Sequence, residues 1–148
     1  MTIVLSILTF LILGIAARIW FNRRKELEEV TRFSITPTEL HSLLGQPDSI
    51  CLLDVRLPLD LLADPHIIPG SVRMSPKEVA LNPAAVPKDR DIVFYCTCPI
   101  DGTSRIALHH AQQANYHRVK FLRGGLAAWK AQGFPVETYE TAFHLDTL

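Results

Sequence analysis

Two nearly unbroken apolar runs, Ser49–Val55 (SICLLDV) and Asp91–Cys96 (DIVFYC), constrain the fold of this chain most. A strand with one face in water alternates apolar and polar residues, whereas runs this continuous are expected of strands covered on both faces. Helix signals surround them. Thr36-Pro37-Thr38-Glu39 and Ser75-Pro76-Lys77-Glu78 both read as capping boxes with proline at the first helical position. The first leads into Leu40, Leu43 and Leu44 on one face and stops at Gly45, and the second stops near Asn82-Pro83. A third helix is expected over Thr103–Asn115, a short strand over Val119–Leu122, and a last helix over Leu126–Gln132 closed by Gly133. Strands alternating with helices imply an α/β fold with a mainly parallel central sheet flanked by helices. In such sheets ligands bind outside the carboxyl ends of the strands, so the residues that end strands and open helices are where chemistry is sought.

The charges are segregated. The 148 residues carry 15 basic and 15 acidic side chains, yet residues 1–25 hold a net +4 and residues 26–148 a net −4. The acidic body carries no basic block of the kind that grips phosphates, which argues against nucleic acid as a partner. The basic end follows an apolar stretch. Ile3–Phe21 holds Arg18 as its only charge, and as a helix it would span roughly 28 Å, close to the ~30 Å hydrocarbon core of a bilayer. Residues 1–21 are therefore expected to form a single-pass transmembrane helix, with 22–33 a charged, helix-prone linker and a folded domain beginning near Phe33. A cleaved signal peptide would place positive charge before the apolar run, and here Arg18, Arg23, Arg24 and Lys25 all follow it. The positive-inside rule then puts the folded body in the cytoplasm and a short N-terminus outside. There thiols stay reduced, so the three cysteines are expected as free, catalytic or structural thiols.

Cys96 ends a buried run, and Thr97–Ser104 (TCPIDGTS) leads directly into a helix. A cysteine so placed faces the unpaired N–H groups of a loop and helix start, which favour negative charge and lower a thiol pKa. From the residues alone, a nucleophile and a packed thiol are equally compatible with this placement. Cys51 lies in mid-strand and is expected in the core.

Several short motifs in order carry a family resemblance: Asp54-Val55-Arg56, Ile68-Pro69-Gly70-Ser71, Phe94-Tyr95-Cys96, Leu122-Arg123-Gly124-Gly125-Leu126-Ala127-Ala128-Trp129, and Gly133-Phe134-Pro135-Val136. Together they resemble a rhodanese-like domain, over about 100 residues from Thr36 to Glu137. The resemblance implies that residues 34–140 form this domain and 141–148 a C-terminal tail. It also implies sulfur transfer without a cofactor: a strand-end cysteine takes sulfane sulfur as a persulfide and passes it to a thiol or other nucleophilic acceptor. Cys96 matches the nucleophile, with Cys98 as relay or as the nucleophile itself, and Arg105 closes the loop. Thr97, Gly102, Thr103 and Ser104 are expected to line the substrate site. Asp54 and Arg56 either border it as substrate-binding residues or fix neighbouring loops, and Trp129 is expected in the core. Asp60 or Asp64 fits the acidic residue that the family often places before Ile68-Pro69-Gly70.

The loop departs from the family pattern. Eight residues separate Cys96 from Arg105 and six separate Cys98 from Arg105, where the family has about four. Asp101 within this loop would repel a dianionic donor such as thiosulfate. The Cys96-Thr97-Cys98-Pro99 pattern is similar to that of rhodanese-like domains attached to bacterial membrane proteins, which also argues against thiosulfate as the donor, and the expected anchor would place sulfur transfer next to a membrane protein partner. The rival class is an inactive docking module of the same fold. A cysteine-dependent phosphatase, whose loop needs Cys-x5-Arg after a histidine, does not fit, because Tyr95 precedes Cys96. Neighbouring His109 and His110 point about 100° apart on a helix, so no metal site is expected. His41, His66, His117 and His144 are expected on the surface.

Overall fold

A computed structural model describes residues 2–46, 50–97 and 102–140. The chain divides into two compact units, Met1–Phe33 and Ser34–Leu148. The first is a single helix, α1 (Thr2–Phe33), so the expected membrane and linker segments form one continuous element. Its side chains are described from Phe10 onward. Phe10, Leu11, Leu13, Ile15, Trp20 and Phe21 are all more than half exposed. Arg24 lies 4.5 Å over the Trp20 ring and Lys25 lies 5.6 Å over that of Phe21. Among the described residues no helix is long and apolar enough to cross a membrane. Beyond Phe10 the apolar stretch runs into Arg18, Arg23, Arg24 and Lys25, and the side chains of the first part of the expected span lie outside the described residues.

The second unit contains β1 (Ser34–Ile35), α2 (Pro37–Leu44), β2 (Ile50–Asp54), α3 (Pro58–Ala63), β3 (His66–Ile67), β4 (Val72–Arg73) and α4 (Pro76–Leu81), then β5 (Asp91–Tyr95), α5 (Gly102–Gln113), β6 (Val119–Leu122), α6 (Gly125–Ala131) and β7 (Glu137–Thr138). Five strands form a parallel sheet in the order β1-β6-β5-β2-β4. The two apolar runs pair centrally, Ile50 with Asp91 through Asp54 with Tyr95, which is why neither run alternates. Both capping boxes form. Thr36 N–H donates to Glu39 Oε2 at 2.9 Å and Ser75 N–H to Glu78 Oε2 at 2.6 Å, each with the reciprocal backbone bond. One sheet face is sealed by Ile35, Leu40, Leu52, Val93, Tyr95, Leu122, Leu126 and Trp129, and α4 and α5 pack together beyond the other, with α5 lying on β5 and β6.

Several elements differ from the sequence reading. Helix α3 was not anticipated. It begins at a proline after Leu57, whose N–H donates to Asp60 Oδ2 at 3.3 Å. Cys51, expected in the core, is half-buried near the start of β2, and burial pushes its thiol pKa up against the opposing pull of Arg90. His41 is exposed, but its ring stacks on Phe134 at 4.2 Å and 8°. Trp129 is in the core as expected, and its indole N–H reaches Pro135 O at 2.8 Å. The expected tail, 141–148, lies outside the described residues.

β3 and β7 pair antiparallel, His66 with Thr138 and Ile67 with Glu137. A charge cluster secures this minor sheet. Lys130 Nζ and His66 Nδ1 both lie 2.7 Å from Asp64 Oδ1. Partial burial pushes the Asp64 carboxyl up, but bonds from Lys130 and His66 outweigh it and bring its pKa from 3.8 to about 2. A depressed carboxylate pKa stabilises the fold while the group is ionised, so this contribution is present above pH 3.8 and is lost as pH falls through about 2. Asp64→Asn should therefore lower the melting temperature at neutral pH and flatten the acid side of the stability profile between those two values. An unchanged acid limb in thermal melts would contradict this account.

Candidate functional site

The central strands end together. At their carboxyl ends Val55 N–H donates to Tyr95 O at 3.0 Å, and Met74 N–H donates to Asp54 O at 3.0 Å. The next residue along β5 is Cys96, whose side chain is fully buried. Alternation along the strand sends Tyr95 toward Trp129 and Leu126 and turns Cys96 to the opposite face, the side of α5.

The peptide of Cys96 is fixed from α6. Leu126 N–H donates to Cys96 O at 2.9 Å. The approach requires glycine: a Cβ on Gly125 would lie 2.0 Å from Cys96 O, and its φ of +54° is one that L side chains rarely adopt. Gly124, at φ +71°, has a similar restriction from Ala128, whose Cβ would lie 2.7 Å from an added Cβ. The Gly124-Gly125 pair thus does more than allow a tight turn, because it seats the cysteine backbone against a helix.

Beyond Cys96 the loop continues with Thr97, half-buried, and re-enters the described residues at Gly102, the first residue of α5. Thr103 and Arg105 are half-buried in the first turns of α5, and Ser104 is fully buried there. The Oγ1 of Thr97 and the Oγ of Ser104 are buried, and neither has a hydrogen-bond partner among the described residues. One of these hydroxyls follows Cys96 directly, and the other lies in the first turn of α5, where the helix N–H groups favour negative charge. Cys98, Pro99 and Asp101 lie outside the described residues. Among the described residues no group of three or more His, Cys, Asp or Glu side chains is arranged to hold a metal ion.

Asp54 and Arg56 are 1% and 0% exposed and bind each other: Arg56 Nη2 lies 2.6 Å from Asp54 Oδ2, and Arg56 Nε lies 3.0 Å from both carboxylate oxygens. The guanidinium also donates to Asp64 O and His66 O, both at 2.8 Å. Arg73 Nη1 reaches Arg56 O at 3.0 Å. Of the two roles open to this pair from sequence, the geometry is that of loop fixing, because the guanidinium donors are turned onto Asp54 and the 64–66 backbone.

Tyr95 escaped the sequence reading as a site residue. Its phenol donates to Asp54 Oδ2 at 3.2 Å, accepts from Ile68 N–H at 3.3 Å, and shares a 2.9 Å bond with Ser71 Oγ. Burial, with the Asp54 charge adding to it, pushes the phenol pKa well up, so the hydroxyl remains protonated and able to donate. The signal was available: a tyrosine inside an otherwise apolar run needs a buried partner for its hydroxyl.

A central parallel sheet with a cysteine at a strand end defines a class of α/β protein whose site lies in a strand–loop–helix corner. Residues 36–132 match the family described as the rhodanese-like domain, and the chain belongs to that family. It is 30% identical over 102 residues to a protein named sulfurtransferase from Allochromatium vinosum, covering 69% of this chain and 92% of that one. It is 31% identical over 106 residues to the probable adenylyltransferase/sulfurtransferase MoeZ of Mycobacterium tuberculosis, covering 69% of this chain and 26% of the relative. The crystal structure of an Anabaena sp. protein superposes with a TM-score of 0.61 at 31% identity, covering 70% of this chain and 82% of that one.

Gly125→Ala should displace the Cys96 peptide, because the added methyl meets a backbone oxygen that cannot swing aside. A melting temperature lowered by several degrees, together with altered Cys96 alkylation, is the expected result. Wild-type alkylation in a folded Gly125→Ala protein would refute the seating role.

Proposed function

We propose that this chain is a sulfurtransferase that carries sulfane sulfur as a persulfide on Cys96. The carrying observation is the full burial of Cys96 at the end of β5, with an orphaned hydroxyl on the adjacent Thr97 and another on Ser104 in the first turn of α5. The sulfurtransferase names of relatives near 30% identity support the same reading. In the first step the Cys96 thiolate attacks the outer sulfur of a persulfide donor, R–S–SH. A new S–S bond forms on Cys96, the donor's S–S bond breaks, and R–S⁻ leaves with the electron pair. In the second step an acceptor thiolate takes the outer sulfur and regenerates the Cys96 thiolate. Sulfur moves as the neutral atom and no external oxidant or reductant enters.

Thr97, Gly102, Thr103 and Ser104 supply hydroxyl and backbone donors to the sulfur anion, Arg105 supports the loop as it enters α5, and Cys98 relays sulfur to the acceptor. The acidic body and Asp101 favour a thiol-borne persulfide over thiosulfate as donor. Incubation of the full chain with a small-molecule persulfide should add the mass of one sulfur atom to Cys96, localised by peptide mass spectrometry. Cys96→Ser should abolish loading, and Cys98→Ser should load but transfer more slowly. Sulfur retained on Cys98 in Cys96→Ser would move the nucleophile to Cys98. If neither cysteine is loaded by persulfide, polysulfide or thiosulfate, the docking-module reading replaces this one.

Location forms the second part of the proposal. The apolar run Ile3–Phe21 followed by Arg23, Arg24 and Lys25 supports attachment to a bilayer with the sulfur-carrying domain on the cytosolic side, next to a membrane protein that donates or accepts sulfur. The chain should then remain in the membrane fraction after a carbonate wash, and its domain cysteines should resist an impermeant thiol reagent on intact cells. Release into the wash, or labelling from outside, would refute that placement.

A further inference from the structure

The buried network behind the site uses one hydroxyl to join three segments. Tyr95 OH meets the Asp54 carboxylate at the end of β2, and Ile68 N–H and Ser71 Oγ in the turn that leads to β4. Asp54 in turn holds Arg56, which reaches Asp64 O and His66 O. Tyr95 is the residue before Cys96, on the opposite face of the sheet, so a force on its side chain is passed to the next residue through one peptide. The Tyr95 carbonyl is bonded to Val55 N–H and the Cys96 carbonyl to Leu126 N–H. The phenol adds a set of side-chain bonds to these main-chain anchors.

A hydroxyl in this place is not needed for packing. Its neighbours Leu40, Leu126 and Trp129 would accept a phenyl ring equally well. The polar group instead imposes direction, because losing it would leave a buried N–H and a serine hydroxyl short of a partner. We propose that Tyr95 is a positioning residue for the sulfur chemistry: it acts from behind the sheet by fixing the end of β5, and so the angle at which Cys96 leaves the strand. The proposal rests on the reading of Cys96 as the sulfur carrier, and it touches neither sulfur nor substrate directly.

The test compares Tyr95→Phe, Ser71→Ala and Tyr116→Phe in the full chain. Tyr116 is a second buried phenol, bonded to Val86 O at 2.9 Å near the amino end of β6, away from Cys96. It controls for the plain loss of a buried hydroxyl. Site-resolved alkylation of Cys96 with iodoacetamide across pH is the main readout. In Tyr95→Phe its midpoint should move away from the wild-type value. Sulfur loading at neutral pH should fall about tenfold, as displacement of a reacting group predicts. Ser71→Ala should shift both in the same direction by less, and it serves if Tyr95→Phe fails to fold. Tyr116→Phe should lower the melting temperature while leaving the alkylation midpoint in place. An unshifted midpoint in folded Tyr95→Phe and Ser71→Ala, or an equal shift in Tyr116→Phe, would overturn the positioning role. Alkylation needs no sulfur donor, so a wild-type chain that takes up no sulfur would sink the transferase reading separately.

Discussion

The ion pair between Asp54 and Arg56 holds the site end of this domain together. A guanidinium with no exposed surface is tolerable only while its charge and donors are matched, and removing one partner of such a pair costs about 3–5 kcal/mol. Here the match is made by a carboxylate two residues away and by the carbonyls of Asp64 and His66. The pair therefore does not merely add stability. It decides where the chain runs after β2, how α3 is followed by β3, and which carboxylate oxygen is offered to Tyr95.

From that pair the site is assembled outward along hydrogen bonds. Asp54 presents an oxygen to Tyr95, Tyr95 holds the turn through Ile68 and Ser71, and the strand then ends at Cys96. On the far side the backbone of α6 closes on the Cys96 carbonyl through the space left by Gly125. Cys96 is thus held on both sides by bonds from β2 and α6. In the role proposed for Cys96, that support would shield a reactive sulfur until an acceptor arrives.

Much of this was legible in the sequence where one local rule dominates. Both capping boxes, the two central strands, the stop at Gly45 and the burial of Trp129 follow from side chains acting on their own neighbourhood. Helix α3 was missed because its start is signalled only by Pro58 and an acid at Asp60, with leucine in the capping position. Strands β3 and β7, of two residues each, exist by pairing across 70 residues of chain and through Asp64, His66 and Lys130. No local pattern encodes such a pairing. Cys51 reads as core because its run is apolar, yet a strand's first residues can extend beyond the helices that cover it. The Tyr95 network was readable in principle from a hydroxyl inside an apolar run, but its partners come from two distant segments, the end of β2 and the turn at 68–71.

The closeness of Gly125 to the Cys96 carbonyl also restricts how this loop can diversify. The backbone at the cysteine is held by β2 on one side and α6 on the other, with no room for even a methyl group on Gly125. Insertions can enter only downstream, between Thr97 and the first turn of α5, and the long Thr97–Ser104 segment lies on that side. The corner is therefore a one-sided hinge for sequence change, in which loop length can vary while the sulfur atom's point of attachment stays put.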